Sequence, residues 1–280
     1  MIKTILVLSD ALSHFEVALT SALELGRRLA AHVDVLHIEA DPLSLAPFGA
    51  NGVPASVQEQ MKKALEADIE KRRTGAREIY ERLSAASDAS VSWHAAIGDE
   101  AEIAAAAGRL RDLTVIGRPE GTGGTDLAAD APWRATLHAV LFNSGRPVLL
   151  LPQRPPRVFG ERIAVAWNGS AEAARAVAGA LPFLRLAEQV TILSGGAVDP
   201  HASPAGLAAC LARHGVRVAA REFEPSYMSI GSALLDQSRL LGADLLVMGA
   251  YGHSRFREII LGGATREVLP VAELPVLMAR

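Results

Sequence analysis

The sequence predicts two tandem Rossmann-like α/β domains, each a five-stranded, mainly parallel, doubly wound sheet flanked by helices. Three observations lead there. Apolar runs of strand length alternate along the chain with helical patterns punctuated by Ser, Asp, Gly and Pro. The hydrophobic fraction is 50% with only 5% aromatic, so the apolar content is mostly Ala, Val and Leu, which suits helices packed closely on a sheet buried on both faces. The runs also repeat in order. Ile5-Leu-Val-Leu-Ser-Asp10 returns as Ile163-Ala-Val-Ala-Trp-Asn168, Asp112-Leu-Thr-Val-Ile-Gly117 as Asp244-Leu-Leu-Val-Met-Gly249, and Arg146-Pro-Val-Leu-Leu150 as Leu274-Pro-Val-Leu-Met278. A chain of 280 residues gives each copy enough length for its own core.

Strands are expected near 3–9, 32–38, 90–96, 112–117 and 147–151 in the first half, and near 162–167, 189–194, 216–223, 244–249 and 275–279 in the second. Ser13-His-Phe-Glu16 is a capping box that opens the first helix, and Ser170 opens its counterpart. The first half is the longer, and its surplus lies between Asp41 and about Ala86. There a loop with Pro42, Pro47, Gly49, Gly52 and Pro54 runs into a second capping box, Ser56-Val-Gln-Glu59. Val57, Met61, Leu65 and Ile69 then recur every fourth residue between polar neighbours, which predicts a helix lying on the sheet along that stripe. The terminal strands Val148–Leu150 and Val276–Leu277 are short and each follows an X-Pro step. Alone they would leave open edges, so they are expected to pair with one another across the halves. Arg154-Pro-Pro-Arg157 reads as an extended linker, dividing the chain into domains 1–154 and 158–280 that pack as an intramolecular pseudo-dimer, with a homodimer as further assembly.

Net charge is −3, so no excess of Lys and Arg is available to neutralise a nucleic-acid backbone. The single cysteine, Cys210, excludes an internal disulfide and is expected to pack as a small apolar residue. The apolar run at the amino terminus is too short for a signal peptide and no segment is long enough to span a bilayer, so a cytoplasmic protein without membrane partners is expected. The eight histidines form no HExxH pair and no cluster with acids, and no metal site is expected. No GxSxG elbow, Walker loop or GxGxxG after the first strand is present, and Gly121-Thr-Gly-Gly-Thr125 is trailed by Asp126 and Asp130, which suits a surface loop.

What remains is a phosphate site in outline. The apolar run Asp244–Met248 leads into Gly249-Ala-Tyr-Gly252, and after nine intervening residues comes Gly262-Gly263-Ala264-Thr265. A buried parallel strand that passes through a glycine turn into a helix start presents backbone N–H groups at its carboxyl end, and glycine keeps a Cβ from holding an anion off that backbone. In a doubly wound sheet, ligands bind beyond the carboxyl ends of the first and fourth strands, which sets Asn168, Gly169 and Ser170 opposite Gly249 and Gly252.

These residues resemble the universal stress protein family, whose nucleotide-binding members carry Gly-x2-Gly-x9-Gly followed by Ser or Thr around a triphosphate. Gly249, Gly252 and Gly262 match. Gly263 stands where the family usually supplies a hydroxyl, and Thr265 matches a second hydroxyl position. The resemblance implies that Asn168, in place of the family's Asp, and Ser170 face the nucleoside, and that adenine lies against the Ser194-Gly195 region. It places Ala166, Met248 and Ala264 around the same nucleotide. His253 follows Gly252 in the turn, where a donor could reach a phosphate oxygen, and Trp167, beside Asn168, is expected in the core. The first half keeps Asp10 and Ile38 but loses the turn, because Gly117 is followed by Arg118-Pro119-Glu120, with no N–H at Pro119 and a repelling charge at Glu120. Asn143-Ser144-Gly145 is the only remnant downstream.

The resemblance thus implies a stress-response protein that binds an adenine nucleotide, ATP with Mg2+, in its second domain and passes the signal to an unidentified partner. The alternatives are a scaffold that no longer binds nucleotide, and a slow ATPase or nucleotide-dependent enzyme of the same superfamily. No positioned base or nucleophile is evident, so binding rather than catalysis is expected.

Overall fold

The computed structural model describes residues 1–9, 13–40, 54–119, 131–155, 158–195, 198, 200–225, 228–252 and 263–280. The first half runs β1 (Thr4–Ser9), α1 (Ser13–Leu29), β2 (His32–Glu39), α2 (Ala55–Ala85), β3 (Val91–Ile97), α3 (Glu100–Gly108), β4 (Leu113–Gly117), α4 (Ala131–Asn143) and β5 (Val148–Leu151). The second runs β6 (Arg162–Ala166), α5 (Ala171–Leu184), β7 (Gln189–Gly195), a 3-10 turn (Pro200–Ala202), α6 (Pro204–Arg213), β8 (Val218–Phe223), α7 (Ile230–Leu240), β9 (Leu245–Gly249), α8 (Gly263–Val271) and β10 (Val276–Ala279).

The strands form one ten-stranded sheet in the order β3-β2-β1-β4-β5-β10-β9-β6-β7-β8. Each half is parallel throughout, and the halves meet at the antiparallel pair of β5 and β10, where Val276, Leu277 and Met278 face Leu150, Leu149 and Val148. The edges left by the two short terminal strands are thus paired with each other, as their X-Pro context suggests. Strand periodicity carries the core across this seam. Leu149, Leu151 and Leu277 join the cluster on one face of the sheet, while Val148, Leu150, Val276 and Met278 join the cluster on the other. Gly179 of α5 packs on Pro147, Arg28 donates to the Phe159 carbonyl at 2.6 Å, and buried Arg118 donates to the Leu269 carbonyl at 3.1 Å, so contacts cross between the halves beyond the strand pair.

Hydroxyl and carboxylate caps start the helices where the sequence turns from apolar run to helical pattern. Asp99 accepts the Glu102 N–H, Ser170 that of Ala173, Ser203 that of Gly206 and Ser229 that of Ser232. Helix α2 corrects an expectation. Its N-cap is Pro54, which gives no side-chain cap, so Ser56 already lies inside the first turn and the expected box does not form. The Val57 stripe does not lie on the sheet along its length either: Val57 is 40% and Met61 49% exposed, whereas Ala76 is fully buried and Ile79, Tyr80 and Leu83 pack on the core. The reason is length. A helix of 31 residues is roughly 46 Å long, while the eight-residue β2 beneath it spans only about 26 Å, and the amino-terminal turns run past it. Cys210 is exposed rather than packed, because the inward side of α6 is formed by Leu207, Ala208 and Leu211.

Candidate functional site

Strand β6 lies between β7 and β9, so the chain leaves neighbouring strands toward opposite faces and opens a crevice at their carboxyl ends. A cleft of about 350 Å³ occupies it. From the end of β6 come Ala166, Trp167, Asn168 and Ser170; from β7, Leu193 and Gly195; from β9 and its turn, Met248, Gly249 and Gly252; and from the first turn of α8, Gly263, Ala264 and Thr265. Ile230 and Leu234 of α7 complete it. Of the residues singled out from the sequence for this site, Ala166, Asn168, Ser170, Gly195, Met248, Gly249, Gly252, Gly263, Ala264 and Thr265 line this one cleft, while Gly169 and buried Ser194 do not. His253 and Gly262 lie outside the described residues, as do Asp10 and the Gly121–Thr125 loop.

One wall is apolar. Leu193, Leu234 and Met248 are buried and Ile230 stands beside them. Gly195 keeps that wall in place, since a Cβ there would lie 2.5 Å from the Phe223 ring and 2.9 Å from the tip of Ile230. The other wall is polar backbone. The first turn of any α-helix leaves N–H groups without intrahelical acceptors, and α8 presents that turn, Gly263 to Thr265, to the cleft.

The two glycines of the β9 turn have different causes. A Cβ at Gly249 would sit 2.5 Å from the Ala173 nitrogen and 2.8 Å from the Glu172 carbonyl carbon, so glycine is required there for β9 to pass the start of α5. Gly117 makes the same approach in the first half, 2.3 Å from the His14 oxygen. Helix packing therefore suffices by itself to demand glycine at 249, a reason the sequence does not disclose. Gly252 answers to the cleft, its Cβ position meeting, among the described residues, only the tips of Glu172, 3.2 Å away, and Ser170, 3.6 Å away. At Gly263 a Cβ would find nothing within 4 Å among the described residues.

The polar side chains hold the cleft's own loops. The Ser170 N–H donates to Asn168 Oδ1 at 3.1 Å across Gly169, whose φ is +76°, and Ser170 Oγ accepts the Ala173 N–H at 3.2 Å. Thr265, 2% exposed, accepts the Tyr251 N–H at 3.2 Å and so fixes a residue held at φ 55°. The Tyr251 ring packs outward, against Phe142 at 5.0 Å and His138 at 5.9 Å on α4, tying the turn to the first half. Burial raises the Tyr251 pKa against the opposing Arg134 charge, and burial, helped by Arg280, lowers that of His138. Trp167, 8% exposed, anchors its indole N–H on the Ala202 carbonyl at 2.7 Å, a core role with one edge on the cleft.

Sequence reasoning missed Ile230, Leu234 and Glu172. The first two carry a signal, an i,i+4 apolar pair directly after the Ser229 cap. Glu172 brings a carboxylate beside Gly252, paired with Arg175 at 2.9 Å. In the first half the corresponding turn takes another course: Trp133 donates to the Gly117 carbonyl at 3.0 Å and Arg118 leaves toward α8. Among the described residues no group of three His, Cys, Asp or Glu is arranged to hold a metal ion, and no helix is long and apolar enough to cross a membrane.

Comparison with known proteins agrees with this architecture. Residues 160–280 match the universal stress protein family model. A universal stress protein of Synechocystis sp. is 51% identical over 37 residues, a stretch that spans 13% of this chain and 13% of that relative. Over the whole fold the chain is similar to a universal stress protein from Archaeoglobus fulgidus, with a TM-score of 0.72 at 16% identity, covering 99% of this chain and 96% of the other. It is also similar to a protein of unknown function from Pseudomonas aeruginosa PAO1, with a TM-score of 0.60 at 18% identity, covering 99% and 92%. The match to the universal stress protein family model thus lies in the second half, the part that carries the cleft.

Proposed function

We propose that the second half binds one adenine nucleotide, ATP with a divalent cation, and that occupancy of the cleft, rather than turnover, is the signal that a partner reads. The observation that carries this is the meeting of two unlike walls in one crevice. Leu193, Ile230, Leu234 and Met248 offer an apolar surface for a base, and the first turn of α8 offers N–H groups and a positive dipole end to phosphates, with Gly252 leaving the path between them open. A cleft of about 350 Å³ lies within the range of small-ligand sites. The cation would be held chiefly by the phosphates, with Glu172 as the nearest carboxylate. Binding without turnover fits the hydroxyls present, since Ser170 and Thr265 are committed to the Ala173 and Tyr251 amides. Domains of residues 1–154 and 158–280, the second carrying the ligand, belong to the same proposal.

Two observations favour a second reading, a scaffold without nucleotide. Glu172 lies near Gly252, where an anion would pass, and Gly263 brings no hydroxyl. Acid extraction of the purified protein followed by anion-exchange chromatography, with calorimetric titration of ATP in the presence and absence of Mg2+, separates the two. Co-purified or titrated adenine nucleotide supports the binding protein; failure of ATP, ADP, AMP and adenosine alike would leave the scaffold.

A further inference from the structure

The opposite end of the second half carries a different cleft. Where β6, β7 and β8 begin, the sheet's amino-terminal rim is indented by a cavity of about 530 Å³ lined by Arg162, Arg185, Arg217, Glu188, Gln189 and the Leu186–Ala187 turn, with Gly215 at its edge. Three separate connections supply the arginines: Arg162 opens β6, Arg185 caps the end of α5, and Arg217 precedes β8.

What sets these arginines apart is that all three line one cavity and none has a carboxylate partner among the described residues. Many guanidinium groups elsewhere on the surface are paired, among them Arg27 with Glu24, Arg72 with Asp68, Arg77 with Glu81, Arg82 with Glu16, Arg175 with Glu172 and Arg239 with Asp236. Arg162, Arg185 and Arg217 instead face a common cavity. The acids nearby do not quench them. Asp244 spends both oxygens on the backbone N–H groups of Gly160, Glu161 and Arg162, and Glu188 shares the cavity without forming an ion pair there. In a chain of net charge −3, three unpaired guanidinium groups at one cavity are not the average of the surface. The duplication gives an internal contrast. From the pairing registers, Thr4 and Ser90 take the places of Arg162 and Arg217 in the first half, and Arg27, near the end of α1, is tied to Glu24. The trio is a property of the second half alone.

We propose that this cleft binds a compact oligophosphate anion. Planar guanidinium forks donate paired N–H groups to phosphate oxygens, and several forks around one cavity match an anion with several phosphates better than a single one. The lining is polar, its apolar side chains being only Leu186 and Ala187, with Leu186 56% exposed, so a base or an acyl chain finds no wall to pack on. The ligand is therefore charged throughout the part that is held. Free oligophosphate and the phosphate tail of a nucleotide share this chemistry.

The test is amide NMR on the full chain titrated with inorganic tripolyphosphate. Saturable shifts are expected at Leu186, Gln189 and Gly215. They should persist in Gly252→Val, which obstructs the other cleft, and affinity should fall roughly tenfold or more in Arg185→Gln/Arg217→Gln. Glu188→Gln should tighten binding several-fold by removing the repelling charge. All three substituted side chains are exposed, and an unchanged spectrum away from the cleft verifies the fold. Shifts confined to residues around Gly252 and Gly263, or equal affinity in the double variant, would overturn the proposal. ATP that reproduces the shifts at Gly215 while adenosine does not assigns the tail of a nucleotide as a source; shifts with tripolyphosphate alone assign free oligophosphate. Because these amides lie apart from the nucleotide cleft, loss of ATP binding there leaves this result standing.

Discussion

Gly249→Ala should destabilise the protein far more than Gly252→Ala, although both glycines belong to one turn. At position 249 the new methyl would stand 2.5 Å from the Ala173 nitrogen and 2.8 Å from the Glu172 carbonyl carbon. Carbon contacts settle at about 3.5 Å or beyond, so the start of α5 must withdraw by about 1 Å. Both obstacles are backbone within the first turn of a helix, and no rotamer change can relieve them. Overpacking costs about 1–3 kcal/mol, and a rigid obstacle places this case in the upper part of that range, about 2–3 kcal/mol. At position 252 the nearest atom is the Glu172 carboxylate tip at 3.2 Å, which can swing away, and the cost should stay below about 0.5 kcal/mol. Gly117→Ala, facing the His14 oxygen at 2.3 Å, should match Gly249→Ala in a half that lacks the phosphate turn. Urea unfolding followed by circular dichroism measures all three. If Gly249→Ala and Gly117→Ala both cost less than about 0.5 kcal/mol, the helix starts have room to give and the helix-packing reason for these glycines is wrong.

Leu277→Ala, at a fully buried position of the β5–β10 seam, should cost about 2–5 kcal/mol by urea unfolding. Fragments 1–154 and 158–280, expressed separately, should fail to give cooperatively folded monomers, because each exposes one strand of that seam; two well-behaved monomers would show the pairing to be dispensable. Gly263→Ser has open space for its side chain and adds a hydroxyl at the mouth of α8, so ATP affinity by calorimetry should rise by about 0.5–1.5 kcal/mol. Asn168→Asp should tighten ATP by a similar amount and weaken tripolyphosphate, and an equal shift for both ligands would mean that the position does not face the nucleoside. For Asp34, burial favours the neutral acid, but hydrogen bonds from Arg111, Ser92 and His94 and the Arg111 charge hold its pKa below the usual carboxylate value. A depressed folded pKa stabilises above the unfolded pKa and is lost as the pH falls through the folded one. Stability should therefore drop less steeply on acidification in Asp34→Asn than in the parent, read from urea midpoints across the acid range.

The strands are legible in the sequence because a parallel strand buried on both faces leaves an unbroken apolar run, and duplication supplies each run twice. Leu245 to Met248 is such a run, and Leu113 to Ile116 its counterpart with Thr114 as the one polar interruption. The seam was readable for a chemical reason, an edge that needs a partner. The cleft's floor follows from topology, since the ends of β6 and β9 must adjoin. Its apolar wall does not, because Ile230 and Leu234 reach it only through the packing of α7 against α8. Nor can a glycine in a turn disclose which atoms its missing Cβ would strike, and the packing demand at Gly249 was not legible on that account. The α2 stripe shows the same limit: periodicity reveals which side of a helix is apolar, but not whether anything lies beneath it at Val57 and Met61.

Calorimetric titration of Mg-ATP into the full chain and into Gly252→Val, each repeated with excess adenosine, tests the nucleotide cleft most directly. One adenosine-displaceable site per chain is expected, abolished in the variant while its unfolding midpoint stays close to the parent's. Two equivalent adenosine-displaceable sites, or unchanged affinity in Gly252→Val, would contradict a single nucleotide held between the apolar wall and the start of α8.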